Sequence, residues 1–326
     1  MLYADAGPTP LHLAALSGLS YDIVQRRLRE SGVLPLPNSP KKNRKYPVED
    51  CRKILKEIFS DKILVKKKTH SFYNFKGGVG KTSLSFQVSV HLAILGFRVL
   101  LIDTDPQANL TNCFPVSQNI SSPTLYDILI KGMSPELAKV PIFTGLDFIQ
   151  SNISLTRLEP ELIHQTRKEE MMQDVIDQIY DRYDFIIVDA NPNINQINRN
   201  VINCSDVVHI VCETQPFSIM GLSLLYEDMK TFFHRMKKNL PTINIIPNKY
   251  EDRISTSSEA MHTLRENFSD FLKKDFAIRK SEDFNASVKC ALPLSFFCKQ
   301  TSNAWEDIVE LIHYIIDISK TETEKK

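Results

Sequence analysis

Nine consecutive residues, 75–83, have the types and spacing needed to bind phosphate: Phe-Lys-Gly-Gly-Val-Gly-Lys-Thr-Ser. An apolar segment precedes them and a helix-length segment follows. Glycines let the backbone turn until successive N–H groups face one point, and the helix adds its positive N-terminal end. Lys81 can reach the β and γ phosphates of a nucleotide, and the Thr82 hydroxyl can ligate Mg²⁺. The sequence therefore predicts a nucleotide-binding loop made of Lys76, Gly77, Gly78, Val79, Gly80, Lys81, Thr82 and Ser83.

Carboxylates end two apolar, strand-like segments further along the chain. Residues 98–102 lead into Asp103 and Asp105, and residues 184–188 lead into Asp189. Functional groups gather at the carboxyl ends of parallel strands, so we expect these carboxylates to lie beside the glycine-rich loop. Asp189 is expected to hold Mg²⁺ through water, next to Thr82.

Strand-like apolar runs alternate with helix-length segments between residues 69 and 320. This alternation predicts an α/β fold with a mainly parallel sheet flanked by helices, preceded by a small helical domain. We divide the chain into a DNA-binding domain with a basic linker (1–66), a nucleotide-binding domain (67–321) and a polar tail (322–326). No apolar run reaches the length of a transmembrane helix, and the six cysteines lack metal-ligand spacing, so a cytoplasmic protein is expected.

The basic residues are concentrated near the start of the chain. Residues 1–70 hold 14 Lys and Arg against 7 Asp and Glu, whereas the remainder holds 26 against 32. Within this part, Ala14, Gly18 and Val24 have the spacing of a helix-turn-helix. A nucleic-acid contact is therefore predicted, with a solvated arm or a charged helical cap as the alternative. The candidate DNA contacts are Arg26, Arg27, Lys41, Lys42, Arg44 and Lys45.

The glycine-rich loop departs from the ordinary phosphate-binding pattern at two positions. Phe75 replaces the first glycine, and an extra lysine, Lys76, precedes the others. In these features the sequence resembles the ParA/MinD family of P-loop ATPases, whose deviant motif reads Lys-Gly-Gly-x-x-Lys-Thr/Ser. The resemblance implies bound ATP and Mg²⁺ and a homodimer that forms around ATP. It also implies that Lys76 crosses the dimer interface to the phosphates held by the partner subunit.

Residues 103–109 match a second motif of that family, Asp-x-Asp-Pro-Gln-Gly/Ala-Asn. The resemblance implies that Asp105 positions the attacking water and that Asp103 supports the Mg²⁺ shell and a switch loop. It makes Lys76, Lys81 and Asp105 the catalytic residues and Asn248 a candidate reader of the adenine base. The residues nearest to the family's sequence-independent DNA surface are Arg253, Arg279 and Lys280. One departure is the continuation after Asp189, where Ala190-Asn191-Pro192 stands in place of x-Pro-Pro.

The N-terminal part resembles the MerR-type winged helix-turn-helix found in larger, plasmid-type ParA proteins. Taken together, the resemblances imply a partition ATPase that binds nonspecific DNA and its own operator and is released on hydrolysis stimulated by a ParB-like partner. A nucleoid-associated location follows from that interpretation. Two alternatives remain, a MinD-like membrane-patterning ATPase and a nucleotide-sensing transcriptional repressor. The acidic polar face of the last helix, residues 305–318, favours packing in the core over binding to a membrane.

Overall fold

The computed structural model describes residue 3, residues 5–116 and residues 121–321, and of residues 216–220 only the backbone. The predicted tail, residues 322–326, lies outside the described residues. The strands are β1 (Lys68–Tyr73), β2 (Val99–Asp103), β3 (Lys139–Phe143), β4 (Leu146–Ile149), β5 (Phe185–Asp189), β6 (Val207–Glu213) and β7 (Thr242–Asn248).

The seven strands form one sheet in the order β3-β4-β2-β5-β1-β6-β7. Every neighbouring pair is parallel except β3 and β4, which are antiparallel at one edge. The predicted α/β fold with a mainly parallel sheet is confirmed. The loops that carry the predicted chemistry follow β1, β2, β5, β6 and β7, which are adjacent in this sheet.

Helices cover both faces of the sheet, because successive strand residues point to opposite sides and each side is apolar. Along β2, for example, Val99 and Leu101 belong to one hydrophobic cluster, whereas Leu100 and Ile102 belong to the other. The helices are α1 (Pro10–Ser17), α2 (Tyr21–Glu30), α3 (Val48–Ile58), α4 (Lys81–Ile94), α5 (Leu125–Leu129), α6 (Pro135–Ala138), α7 (Leu158–Leu162), α8 (Met171–Ile179), α9 (Gln196–Asn203), α10 (Pro216–Met236), α11 (Ser255–Phe268), α12 (Glu282–Cys290) and α13 (Asn303–Ser319).

The last helix, α13, packs in the core, as the sequence predicts. Its apolar stripe, which includes Trp305, Ile308 and Ile312, is fully buried in the same cluster as α4. A helix whose apolar face is already covered by protein has no such face to offer to a lipid surface. Among the described residues, no helix is both long and apolar enough to cross a membrane.

The helices α1 and α2 meet at a tight turn. Gly18 ends α1 in the left-handed region, at φ 66°, and the Ser20 hydroxyl accepts a hydrogen bond from the backbone of α2. Ala14 and Val24 face the interior, as expected from their helix-turn-helix spacing. Residues 31–47 follow as a loop, closed by a 2.8 Å hydrogen bond from the Leu36 amide to the carbonyl of Lys45. The assignment of this part as a winged helix-turn-helix stays a prediction.

The N-terminal helices share a hydrophobic cluster with the rest of the molecule. The His12 ring lies edge-on against Trp305 of α13, and His313 Nε2 lies 2.8 Å from the carbonyl oxygen of Leu16. The ammonium group of Lys45 donates a hydrogen bond to the carbonyl of Phe296. The described part of residues 1–66 is therefore in direct contact with the C-terminal helix and the loop before it.

Helix α3 is attached to the turn between α4 and β2 by a buried arginine. Arg52 Nη2 donates hydrogen bonds to the carbonyls of Gly96 (2.9 Å) and Phe97 (3.3 Å). Gly96 adopts φ 111°, and a Cβ there would lie 2.6 Å from Lys56 Cα of α3. The absence of a side chain at Gly96 thus allows α3 to approach this turn closely.

Four histidines, His12, His70, His91 and His209, are buried and are held neutral by burial. Burial lowers the pKa of His12 and of His91 to about 4 and that of His209 to about 3, and it lowers the pKa of His70 well below the usual 6.5. His70 Nδ1 and His209 Nε2 lie 3.0 Å apart, with the rings stacked. The folded state therefore does not take up the protons that the unfolded chain binds below about pH 6.5.

We expect the free energy of unfolding to be highest above pH 6.5 and to fall as the pH drops towards 4. Each buried histidine contributes a slope of up to about 1.4 kcal/mol per pH unit. Asp103 and Asp189 oppose this, because burial raises their pKa to about 7 and about 6. Urea unfolding between pH 8 and pH 5 measures the net slope. His12→Gln should reduce this slope by the contribution of about one proton, whereas His262→Gln, at an exposed position, should leave the slope unchanged. Equal slopes in the two variants would contradict this account.

Candidate nucleotide site

The glycine-rich loop connects β1 to α4, as predicted. Gly78 and Gly80 have φ values of 74° and 99°, which other residues adopt only at a cost in energy. Gly80 caps the N-terminus of α4, so the positive end of that helix faces the loop. Phe75, which replaces the usual first glycine, lies against Gly221 of α10, where a Cβ would come within 2.8 Å of the ring.

Lys81 lies beneath the loop and is only 6% exposed. Its Nζ donates a 3.1 Å hydrogen bond to the carbonyl of Lys76. Burial lowers the pKa of Lys81, while the negative charges of Asp189 and Asp105 oppose that shift. A buried cation with one hydrogen bond retains capacity for an anion.

Thr82 and Asp189 are brought together, as the sequence predicts for a magnesium site. The Thr82 hydroxyl donates a 2.7 Å hydrogen bond to Asp189 Oδ2. The other carboxylate oxygen, Oδ1, is buried and has no hydrogen-bond partner among the described residues. Burial raises the pKa of Asp189 to about 6. An unpartnered buried oxygen of this kind is suited to a divalent cation or to a water held by one.

Asp103 organises the loop that follows β2. Its Oδ1 accepts from the amide of Asp105 (3.0 Å), and its Oδ2 accepts from the amide (3.0 Å) and hydroxyl (2.8 Å) of Thr111. Burial, with a smaller effect of Asp189, raises the pKa of Asp103 to about 7. Both Asp103 oxygens are thus used within the protein, which suits the predicted support of the switch loop better than direct contact with Mg²⁺.

Asp105 lies on the same loop and is nearly buried. Its Oδ1 accepts a 2.9 Å hydrogen bond from the Gln107 amide, and its backbone carbonyl accepts one of 2.6 Å from the Ser151 hydroxyl. These bonds hold the Asp105 loop in place, and the negative charge of Asp105 favours the charged form of Lys81. This is a position from which a carboxylate can orient a water beside a bound phosphate.

Lys76 and Lys249 share one carboxylate, that of Glu213 at the end of β6. Lys76 Nζ lies 2.6 Å from Glu213 Oε2, and Lys249 Nζ lies 2.7 Å from Oε1. Lys249 Nζ also donates a 2.6 Å hydrogen bond to the carbonyl of Gly78 in the loop. Of these three residues, only Lys76 was predicted from the sequence; Glu213 and Lys249 were not. The signal for Glu213 was a charged residue ending an otherwise apolar strand.

Asn248 clamps the loop. Its Nδ2 donates a 2.7 Å hydrogen bond to the carbonyl of Val79, and its Oδ1 accepts from the amide of Lys249. A Cβ at Gly80 would collide with the Asn248 amide, so that glycine permits the contact. Beside it lies a cavity of about 230 Å³, lined by Gly78, Gly80, Ser83, Leu84, Asn248, Lys249, Arg279, Lys280, Ser281, Glu282, Phe284 and Asn285. In this arrangement Asn248 borders the cavity while its amide groups hold the loop.

The altered segment after Asp189 is held by asparagines. Asn191 Nδ2 donates to the carbonyl of Thr104 (3.4 Å), which links the segment to the loop after β2. Asn198 Nδ2 in turn donates to both the carbonyl and the Oδ1 of Asn191 (2.9 Å each). A proline at residue 191, as in the family pattern, could not make the side-chain contact with Thr104.

The site as a whole fits a nucleoside triphosphate and Mg²⁺. Lys81 is buried next to the glycine-rich loop, and the Asp189 carboxylate, which accepts from the Thr82 hydroxyl through Oδ2, keeps Oδ1 unpartnered among the described residues. The adjoining cavity, which contains the aromatic ring of Phe284, has the character of a nucleoside pocket. Thr82 and Asp189 are the residues that would hold the metal.

Comparison with protein families identifies this arrangement. The model of the AAA_31 family, described as an AAA domain, matches residues 67–242, more than half of the chain. The chain belongs to this family. The match begins just before β1 and covers the glycine-rich loop, Asp103, Asp105 and Asp189.

Relatives of this AAA_31 chain agree with the resemblance. The cell division protein PomZ of Myxococcus xanthus (strain DK1622) is 29% identical over 248 residues, which are 75% of this chain and 76% of PomZ. The sporulation initiation inhibitor protein Soj of Bacillus subtilis (strain 168) is 28% identical over 202 residues, 62% of this chain and 80% of Soj. The ATP complex of a Cyanothece McdA variant has the same fold, with a TM-score of 0.70 and 20% identity over 79% of this chain and 99% of McdA. The AAA_31 chain is a P-loop ATPase of the ParA/MinD type. Solved structures with the same fold contain ATP, or an ATP analogue with magnesium.

The predicted DNA contacts of this AAA_31 protein differ in how available they are. Arg26 and Arg27 are exposed on α2, where both lie near Glu30. Lys41, Lys42 and Arg44 are exposed on the loop beside α2 and line an open groove of about 370 Å³. Lys45 is turned inward to Phe296.

The DNA contacts predicted on the ATPase body also include both residues held in ion pairs and an exposed residue. Arg279 is held by Asp307 (2.5 Å) and Glu306 (3.0 Å), and Lys280 by Glu251 (3.1 Å). Arg253 is exposed near the start of α11. An arginine already paired with two carboxylates has less to offer to a phosphate than a free one, because those pairs must first be broken.

Proposed function

We propose that this AAA_31 chain is a DNA partition ATPase that forms a homodimer around ATP, binds DNA of any sequence as a dimer, and is released when ATP is hydrolysed. The observation that carries the proposal is Lys76, a second lysine on the phosphate-binding loop in addition to Lys81. Its side chain is 42% exposed, whereas Lys81 is only 6% exposed. An exposed lysine on this loop can serve a nucleotide on another subunit.

The chemistry of the proposed reaction is positioning and charge stabilisation. Mg²⁺, when bound, offsets negative charge on the phosphate oxygens. Lys81, and Lys76 from the partner subunit, stabilise the charge that develops as the γ phosphate is transferred. Asp105 orients the attacking water. Because no strong general base is among these residues, we expect slow turnover unless a ParB-like centromere-binding protein stimulates it.

The DNA contacts in this proposal are electrostatic and therefore depend on salt. Arg253 on the ATPase body contributes to binding of arbitrary sequence, and Arg279 and Lys280 join it if their ion pairs open. The N-terminal residues Arg26, Arg27, Lys41, Lys42, Arg44 and, less directly, Lys45 contribute to an operator. We propose that the dimer is cytoplasmic and associated with the nucleoid.

Two other functions have less support from the structure. A MinD-like membrane-patterning ATPase needs an amphipathic helix free to bind lipid, and the apolar face of α13 is buried. A nucleotide-sensing repressor would bind one operator equally well in ATP and ADP and would not bind other DNA. The basic groove beside α2 is compatible with operator binding in either the partition ATPase or the repressor.

The test is retention of the purified protein on DNA of arbitrary sequence with ATP, with ADP and without nucleotide, beside anionic vesicles. We expect retention on DNA with ATP only. Lys76→Ala should abolish it, because the charge supplied across the interface is removed. Asp105→Asn, which keeps the hydrogen bond from the Gln107 amide, should prolong retention by slowing hydrolysis.

Lys53→Ala, at an exposed lysine on α3, is the matched control and should behave as the wild type. Retention on vesicles instead of DNA would identify a membrane-patterning ATPase. Operator binding that is independent of nucleotide, without retention on other DNA, would identify a repressor. Either result would reject the partition proposal.

A further inference from the structure

The strongest feature without an assigned role is the wall that α2 contributes to the groove beside it. This groove, of about 370 Å³, is lined by residues of α2, of the loop over residues 31–47 and of the start of α1. Four of the lining residues are cations, and among the described residues no Asp or Glu lines the groove. The cations are Arg29, Lys41, Lys42 and Arg44. The groove is therefore suited to a polyanion.

The wall formed by α2 carries planar polar groups. Of the described residues of this helix, Tyr21, Gln25 and Arg29 line the groove. They follow one another at intervals of four residues, so their side chains lie on one face of the helix. The two arginines of α2 predicted from the sequence, Arg26 and Arg27, lie outside the groove, near a glutamate of the same helix.

The three side chains on this wall are linked in a row. Arg29 Nη2 donates a 2.7 Å hydrogen bond to Gln25 Oε1, and Gln25 Nε2 donates to the Tyr21 hydroxyl. Each bond uses one nitrogen of a group that has several N–H donors, since a guanidinium has five and an amide has two. Side chains held in this way lose less conformational freedom on binding than free ones. The row is therefore prepared to donate further hydrogen bonds to a ligand in the groove.

The opposite wall, formed by the loop, carries groups of another kind. Lys41, Lys42 and Arg44 are exposed there. A lysine is a compact charge on a flexible stem, which suits contact with phosphates, whereas planar donors suit the edges of bases. The two walls thus fit the two parts of a nucleic acid, its phosphates and its bases. A small anion would use only the cations.

We propose that Gln25 and Arg29 read the bases of a DNA duplex docked over the groove, while Lys41, Lys42 and Arg44 contact its phosphates. An α-helix fits the major groove, where Gln recognises adenine and Arg recognises guanine through two hydrogen bonds each. Residues four apart are separated by about 6 Å along a helix, close to the rise of two base-pair steps, about 6.8 Å. This inference rests on the proposed operator binding, to which it adds the residues that set the sequence preference.

Two kinds of variant separate base reading from phosphate contact. The sequence preference is the dissociation constant for a scrambled duplex divided by that for the preferred duplex. Arg29→Lys keeps the charge and removes the planar donors, so the preference should fall about tenfold while the salt dependence stays the same. Gln25→Met should lower the preference as well. Lys42→Gln should weaken binding to both duplexes alike and reduce the salt slope by about one. Arg265→Lys, at an exposed arginine of α11, is the matched control and should behave as the wild type.

The preferred duplex is first selected by the full wild-type chain from a pool of random sequence, with Mg²⁺ and ADP, so that the proposed ATP-dependent retention plays no part. Fluorescence anisotropy at several salt concentrations then gives the dissociation constants. A wild-type chain that enriches no sequence would reject both operator binding and this inference. An unchanged preference in Arg29→Lys, or a preference lost in Arg26→Lys instead, would reject the inference alone. Loss of ATP-only retention on arbitrary DNA would reject the partition proposal, and the preference measured with ADP would still support this inference.

Discussion

Replacing Lys81 with methionine is expected to lower the rate of ATP hydrolysis by at least about a hundredfold, the usual cost of removing a group that stabilises the transition state. The ammonium group lies beneath the glycine-rich loop. From there it can stabilise the negative charge of the phosphates both in bound ATP and in the transition state of phosphate transfer. The stability of the fold should not be lowered by this change. Burial already lowers the pKa of Lys81, so its charge is costly while no phosphate is bound, and methionine fills a similar volume.

Release of inorganic phosphate and thermal unfolding, measured on the same preparation, test both halves of this prediction. Lys274→Met, at an exposed lysine outside the site, is the matched control and should leave hydrolysis unchanged. Hydrolysis within tenfold of the wild type in Lys81→Met would mean that another cation serves the phosphates. A melting temperature several degrees lower would mean that Lys81 stabilises the empty loop.

Replacing Gly96 with alanine is expected to lower the free energy of unfolding by about 3 kcal/mol or more, from an unfavourable positive φ together with overpacking. The new methyl group would meet the Cα of Lys56 at 2.6 Å and also the Ser60 hydroxyl. Backbone atoms cannot rotate away, so α3 would have to move and the hydrogen bond from Arg52 to the Gly96 carbonyl would be strained.

Gly132→Ala is a closely matched control. Gly132 also has a positive φ, 68°, but no atom of the described residues lies within 4 Å of the position that its Cβ would take. It should therefore cost only about 1 kcal/mol, the backbone contribution alone. Urea unfolding of both variants gives the comparison. Equal losses would show that α3 does not approach Gly96 as closely as the 2.6 Å distance implies.

The central site was predictable because its parts are local in sequence. The loop over residues 75–83 follows a strand, Asp103 and Asp189 each end one, and parallel strands place their carboxyl ends on one edge. The contact between Thr82 and Asp189 joins residues that are far apart in the chain, and it was expected because the family that the sequence resembles places these two motifs together. Contacts that depend only on a strand end and the turn after it can be predicted from neighbouring residues alone.

The remaining contacts depend on which strands are neighbours. Glu213 ends β6 and Lys249 follows β7, and both reach the loop after β1 only because those strands are adjacent. For the same reason Asn248, predicted to read the base, is found with its amide on the Val79 carbonyl. Arg279 was predicted as a DNA contact because it stands nearest to the family's sequence-independent DNA surface, but the sequence shows no sign of its pairing with Asp307 across the fold.

Direct contacts fasten the N-terminal helices to the C-terminal part of the molecule: His12 lies on Trp305, His313 beside the Leu16 carbonyl, and Lys45 on Phe296. Among the described residues, this attachment holds the basic groove against the ATPase body, so the two are expected to move together. In a symmetric pair of chains, the distance between the two basic grooves would therefore be fixed by the interface between the ATPase bodies. If each groove binds one site on the same DNA duplex, the spacing between the two sites would then report how the ATPase bodies are arranged in the pair.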